Sequence, residues 1–313
     1  MRTVFIINPK AGQGKAKELV RAIHETAERL QADISIYLTQ SVYDAEKYVR
    51  DYCRKHTEGE IRFIACGGDG TLNEVLNGAI DCPRAIIGVI PEGTGNDFCR
   101  NFEGVDFSSI EAQLQGEPVL CDAIRYSGLI NGQEQTRYCA NMFNIGFDSN
   151  VADKAGSLKQ LPLVSGSLAY LLAVLVMMIK KKGANLRIEL DGKVEHEGRL
   201  LLTSIGNGRF CGGGIQSNPA ATLHDGVMDI NIVNDVTRPQ FISLLPKYMK
   251  GTHTGRTDVG RFCLKVKKAV ITPLDGSMRL CTDGEITDAG TLTFEAVADA
   301  FRFNLPRVQT PEE

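Results

Sequence analysis

Residues 61–66, Ile-Arg-Phe-Ile-Ala-Cys, form an apolar run of strand length that opens directly into Gly67-Gly68-Asp69-Gly70-Thr71-Leu72-Asn73-Glu74. Leu72, Val75, Leu76 and Ala79 then recur at helical spacing. A strand, a glycine turn and a helix in that order commit this part of the chain to an α/β arrangement. The glycines permit positive φ and let a ligand approach without a Cβ in the way, while the start of a helix presents N–H groups that lack an intrahelical partner. Such a corner suits phosphate. Asp69 is the unusual member, because a carboxylate beside phosphate repels it unless a divalent cation or an ionising hydroxyl lies between them. An ordinary strand-to-helix turn with Asp69 or Thr71 as N-cap accounts for the same residues.

The chain on either side extends the pattern. Residues 4–7 read as a first strand, residues 16–30 as a helix with Leu19, Val20, Ile23, Ala27 and Leu30 on one face, 34–38 as a second strand, and 44–56 as a second helix. Ala85-Ile86-Ile87-Gly88-Val89-Ile90 is a further apolar strand. Two more corners follow strands, Asn8-Pro9-Lys10-Ala11-Gly12-Gln13-Gly14-Lys15 and Pro91-Glu92-Gly93-Thr94-Gly95-Asn96-Asp97-Phe98. Alternating strands and helices predict a parallel sheet covered on both faces, with ligands beyond the carboxyl ends of its strands.

After residues 119–124 the texture changes. Asn131-Gly132 and Asp191-Gly192 are two-residue hairpin signals between alternating runs, and strands are predicted at 200–205, 227–233, 262–272 and 292–297. Apart from a helix at 239–250 and an apolar stretch at 161–179, this half reads as antiparallel β, most simply a sandwich. The expected organisation is an N-terminal α/β nucleotide-binding domain over residues 1–122 and a C-terminal β-sandwich domain over 123–299.

Composition narrows the function classes. A formal net charge of −3 gives no basic face for nucleic acid, so none is expected as a partner. Nine cysteines, none in a Cys-x-x-Cys pair, argue against a disulfide framework or zinc site and for a reducing cytoplasm. The first residues, Met1-Arg2-Thr3-Val4-Phe5-Ile6-Ile7-Asn8, have too short an apolar region for a signal peptide. The stretch 161–179, ending in Lys180-Lys181-Lys182, is interrupted by Pro162, Ser165, Gly166, Ser167 and Tyr170, so a transmembrane helix is not expected. It reads as a buried helix with cations at its C-terminal end, the alternative being a helix on the bilayer surface. No Gly-x-Ser-x-Gly elbow and no Walker P-loop is present, and His24, His56, His196, His224 and His253 form no metal or triad pattern.

With the three corners are found Asn141-Met142-Phe143-Asn144-Ile145-Gly146-Phe147-Asp148, Gly206-Asn207-Gly208 with Gly212-Gly213-Gly214, Asn218-Pro219-Ala220-Ala221 leading to Asp225-Gly226, and Asp283-Gly284-Glu285. In this order the set resembles the diacylglycerol kinase catalytic family, in particular the soluble bacterial lipid kinases, with sphingosine and ceramide kinases as further relatives. The resemblance covers nearly the whole chain. It implies an NAD kinase/diacylglycerol kinase-like fold in which residues 300–313 rejoin the first domain, and an ATP-dependent, Mg²⁺-requiring transfer to a lipid hydroxyl.

By the same resemblance, ATP would contact Asn8, Thr39, Gly67, Gly68, Asp69, Gly70, Thr71, Leu72, Asn73 and Thr94. Asp69 and Asp97 would hold the catalytic Mg²⁺, although Asp97 read alone is a helix cap. Asp283 or Glu285 would be the general base, although Asp-Gly is also an ordinary turn pair. Asp225, with Thr222 and Val227 as neighbouring ligands, would hold a structural Mg²⁺, Asp229 being a weaker candidate that reads as solvent-facing in a strand. Diacylglycerol is the expected acceptor; relatives with these motifs also take phosphatidylglycerol, monoacylglycerol and sphingoid bases. Residues 150–182 are expected to help form the acceptor cleft. The enzyme would meet its lipid at the membrane surface as a peripheral protein, and exposed β edges suit a homodimer. An NAD kinase and a non-catalytic nucleotide- or lipid-binding regulator are the rival readings.

Overall fold

The computed structural model describes residues 1–12, 16–146 and 183–307; the expectations for 150–182 and for the apolar stretch 161–179 lie outside the described residues. The chain divides into two compact units, Met1–Asp122 with Asp299–Glu313, and Ala123–Ala298.

In the first unit β1 (Arg2–Ile7), β2 (Ile34–Leu38), β3 (Ile61–Gly67) and β4 (Ala85–Pro91) are parallel, in the order β2-β1-β3-β4. Every residue of β3 is buried, as a central parallel strand requires when both faces are covered. Helix α1 (Ala16–Leu30) buries Ile23 and Ala27, with Leu19 and Val20 packed beside them. Helix α2 (Asp44–Lys55) buries Ala45, Glu46 and Val49. It packs against α3 (Asp69–Ala79) at Gly78, where a Cβ would stand 2.6 Å from the Glu46 carbonyl oxygen. A short helix, α4 (Ile110–Leu114), is capped by Ser109, whose hydroxyl accepts from the Ala112 N–H at 3.2 Å.

The second unit is antiparallel. Its strands are β5 (Glu117–Ile130), β6 (Gln133–Cys139), β7 (Met142–Gly146), β8 (Ala184–Leu190), β9 (Lys193–Gly206), β10 (Met228–Asn234), β11 (Gly260–Val266), β12 (Lys268–Pro273), β13 (Met278–Thr282) and β14 (Glu285–Leu305), with α5 (Arg238–Met249) after β10. The predicted strand 262–272 is therefore two strands, β11 and β12, separated at Lys267. The predicted 292–297 is the middle of the 21-residue β14. Two long strands change partners along their length: β9 pairs with β8 through its first half and with β7 and β10 through its second, while β14 pairs first with β13 and then with β12. Strands that pass from one layer to the other in this way build the corners of a sandwich. Its core holds Phe143, Ile145, Ile188, Ile205, Ile230, Leu280 and Phe294.

The hairpins form where turn chemistry predicts them. Asn131-Gly132 joins β5 to β6 with φ of 49° and 77°, and Asp191-Gly192 joins β8 to β9 with φ of 47° and 82°. Both central residues are left-handed, as a type I′ turn requires.

The last part of β14 belongs to the first unit, where Arg302 and Phe303 run parallel to Ile86 and Ile87 of β4. Phe303 is fully buried, with ring centroids 4.9 Å from Phe98, 5.1 Å from Phe102 and 5.8 Å from Phe107. The buried Asn304 amide donates to the Gln113 side chain at 2.8 Å.

Candidate functional site

The carboxyl ends of the four parallel strands are laced by backbone hydrogen bonds. Thr39 N donates to Ile7 O at 2.9 Å, Asn8 N to Cys66 O at 3.0 Å, Glu92 N to Gly67 O at 2.9 Å, and Gly12 N to Glu92 O at 3.0 Å. Asn8, Thr39 and Gly67 thus meet at one rim. The Asn8 side chain turns its own corner by accepting from Lys10 N at 3.0 Å. Two corners press together backbone to backbone: a Cβ on Gly93 would lie 2.4 Å from the Gly68 Cα. Only glycine tolerates that approach. Thr94 is exposed on the same loop, and Gly70, Thr71, Leu72 and Asn73 form the first turn of α3.

Helix α3 is capped by Gly68 with no side-chain cap, so neither Asp69 nor Thr71 serves as the N-cap. Asp69 Oδ1 instead accepts from Phe98 N at 3.1 Å, which ties the central corner to the 91–98 corner. The backbone of both corners crowds this carboxylate. That desolvation pushes its pKa up, and N–H bonds from Phe98, Asp97 and Asn96 offset only part of the rise. Asp97 is 6% exposed and lies 3.5 Å from Arg100 Nε. The short 3-10 turn that follows, Cys99–Asn101, is capped by Phe98, so Asp97 is not its cap.

Gly95 connects the two acids. A Cβ on Gly95 would stand 3.1 Å from Asp69 Oδ2 and 3.1 Å from Asp97 Oδ2. Two carboxylate oxygens therefore flank a space that any larger residue would enter. Paired hard oxygens around a gap suit a Mg²⁺ ion, which is bound through one or two carboxylates while keeping several waters. Asp69 and Asp97 are thus placed where they could hold such an ion.

Glu74, the last residue of the central octapeptide, has a role the sequence did not suggest. Its Oε2 accepts from Ala45 N at 3.1 Å, and Tyr43 and Glu46 also donate N–H bonds to the carboxylate. It thereby caps α2, whose own N-cap residue, Tyr43, has φ of 64° and gives no side-chain bond. Burial pushes the Glu74 pKa up, and these donors oppose the shift.

In the second unit Asp283-Gly284 is the two-residue loop of the β13–β14 hairpin, with φ of 45° and 90°. Its side chain is tied on both oxygens. Oδ1 accepts from Met142 N at 3.0 Å, Oδ2 accepts from the Cys139 thiol at 3.1 Å, and Asp283 N donates to Met142 O at 3.2 Å. Cys139 is fully buried, and burial together with the adjacent carboxylate holds its thiol protonated, well above the usual pKa. Glu285 is exposed at the first position of β14. The asparagines nearby brace loops: Asn141 Nδ2 donates to Phe210 O at 2.9 Å and Asn207 Nδ2 to Ala140 O at 2.7 Å.

Asp225 lies in the turn before β10 among hydrogen-bond donors. Val227 N donates to its Oδ1 at 3.3 Å, Lys265 Nζ to its Oδ2 at 2.6 Å, and the Thr222 hydroxyl bonds it as well. Burial works to raise its pKa; the bonds from Lys265 and Thr222 outweigh this and hold it below the ordinary carboxylate value. A divalent cation at Asp225 would share this position with the Lys265 ammonium. Asp229, expected to face solvent, is buried at 1% exposure.

Residues 2–124 match the diacylglycerol kinase catalytic domain, and residues 141–304 match the YegS C-terminal NAD kinase beta sandwich-like domain. The chain is 29% identical over 287 residues to a diacylglycerol kinase of Staphylococcus saprophyticus, covering 91% of this chain and 88% of the relative. It is 30% identical over 249 residues to a Serratia proteamaculans protein named "Probable lipid kinase YegS-like", covering 77% and 76%. A solved diacylglycerol kinase structure from Bacillus anthracis Sterne superposes with a TM-score of 0.69 at 23% identity, covering 98% of this chain and 97% of that one, a likeness of fold.

Proposed function

The chain belongs to the lipid kinases built from a diacylglycerol kinase catalytic domain and a YegS-type β-sandwich domain, and on that premise we propose that it transfers the γ-phosphate of ATP to a hydroxyl of diacylglycerol, giving phosphatidic acid. The observation that carries this reading is the pair of carboxylates, Asp69 and Asp97, facing across Gly95 at the carboxyl ends of the parallel strands. In phosphoryl transfer the protein contributes positioning and electrostatics more than covalent chemistry.

Asn8, Thr39, the 67–73 corner and Thr94 hold the nucleotide, with backbone N–H groups directed at its phosphates. Asp69 and Asp97 hold Mg²⁺. When bound, that ion neutralises the charge of the phosphates and of the leaving ADP. Asp283 accepts the proton of the acceptor hydroxyl as its oxygen bonds to phosphorus and the β–γ bridging bond breaks. The Met142 N–H and the Cys139 thiol fix the carboxylate's orientation. The acceptor resides in a bilayer, so turnover takes place at a membrane surface with the protein peripherally bound. None of the helices among the described residues is long and apolar enough to cross one.

The test is transfer of label from γ-³²P-ATP with Mg²⁺ to diacylglycerol, monoacylglycerol, phosphatidylglycerol and a sphingoid base in mixed micelles, with NAD alongside. Label in diacylglycerol is expected. Label only in another lipid would replace the acceptor, and label only in NAD would replace the reading.

Gly95→Ala isolates the cation. Its φ is not in the left-handed region, so the backbone accepts alanine. The new methyl group would press on both carboxylates. The Mg²⁺ concentration for half-maximal rate should rise on the order of tenfold. An unchanged Mg²⁺ requirement would remove the ion from this gap.

A further inference from the structure

Asp229 on β10 and Lys265 on β11 are direct partners across an antiparallel pair. Lys265 Nζ lies 3.2 Å from Asp229 Oδ2 as well as 2.6 Å from Asp225 Oδ2, so one ammonium joins both carboxylates. Asp229 is buried, and its Oδ1 has no hydrogen-bond partner. A carboxylate in that position depends on its cation, because an uncompensated buried charge is strongly destabilising. Three donors are set against Asp225: the Val227 N–H, the Thr222 hydroxyl and the Lys265 ammonium. A divalent ion entering here would meet the ammonium at contact distance and displace bonds already made.

We propose that Lys265 is the resident cation of this site, supplying from the chain itself the positive charge that the family resemblance assigns to a structural Mg²⁺ at Asp225. The ammonium clips the 225–227 turn to β10 and β11, and the β-sandwich unit is metal-independent. The protein's divalent requirement then belongs to Asp69 and Asp97 alone. This holds whichever lipid is the acceptor.

The experiment is thermal melting of the full chain in EDTA and in millimolar Mg²⁺ or Ca²⁺, for wild type, Lys265→Met, Asp225→Asn and the double variant Lys265→Met/Asp229→Asn. Stabilisation from metal at Asp69 and Asp97 is common to all four, so differences between them report on Lys265. In EDTA, Lys265→Met should melt on the order of 10 °C below wild type, since it leaves the buried Asp229 carboxylate without its cation. Added metal should recover more for Lys265→Met than it adds to wild type, because the vacated position then admits a cation. The double variant, with the buried charge neutralised, should melt well above Lys265→Met in EDTA.

Two results would overturn the proposal. One is a metal-dependent rise in wild type that Asp225→Asn abolishes, which would place a metal beside the lysine. The other is a Lys265→Met variant that melts with wild type in EDTA. Should Lys265→Met fail to fold, the double variant decides: a folded double variant supports charge compensation, and an unfolded one refutes it.

Discussion

Asp69→Asn should lose activity on the order of 10³-fold or more and yet melt, without Mg²⁺, at or slightly above the wild-type temperature. The two effects share one cause. Crowding by the corner backbone raises the pKa of Asp69, so the folded protein holds that proton more tightly than the unfolded chain does. For a raised carboxyl, stability declines as pH increases from the ordinary carboxylate range through the folded pKa, and the ionised form is a burden at neutral pH. Asparagine removes the burden and keeps an acceptor for the Phe98 N–H bond at 3.1 Å. It also removes the charge that holds the cation. Mg²⁺ should raise the melting temperature of wild type by more than that of the variant. A variant that melts well below wild type would mean that its inactivity is structural.

Asp283→Asn against Glu285→Gln separates two acids that stand two residues apart. Asparagine tolerates the left-handed φ of 45° at this hairpin position and can still accept from Met142 N, so the loop should persist. What it cannot do is take a proton. A loss of kcat of about 10²–10⁴-fold is expected with little change in KM for ATP, the range typical of a missing general base. Glu285→Gln should stay within about threefold, because nothing in the proposed chemistry uses its charge. If the larger loss fell on Glu285→Gln, the base would move to that residue and Asp283 would be left as the turn residue its φ suggests.

The local features were the legible ones. The strand-glycine-helix corner at 61–79, the face of α1 and the two hairpins at Asn131-Gly132 and Asp191-Gly192 depend on residues within a few positions of one another. What the sequence concealed depends on register and distance. Lys265 meets Asp229 only because β10 and β11 pair at that offset, and a left-handed Cys263 bulges β11 just before it. The split at Lys267 divides a stretch, 262–272, that reads as one continuous strand. Glu74 stands within the glycine motif, but its function as a cap belongs to another helix, Asp44–Lys55, and no spacing rule joins them. Nothing local distinguishes Cys139 from the other cysteines; it is the β13–β14 turn that brings Asp283 to its thiol.

The return of residues 301–304 to the first unit also bears on how the protein is made. The edge of β4 and the rings of Phe98, Phe102 and Phe107 have their partner in Phe303, nearly two hundred residues later. During translation at about 5–20 residues per second, that aromatic surface and open strand edge wait many seconds for it, long after the glycine corners have left the ribosome. An exposed edge is a template for pairing with other chains. The first unit is therefore completed late despite being synthesised first.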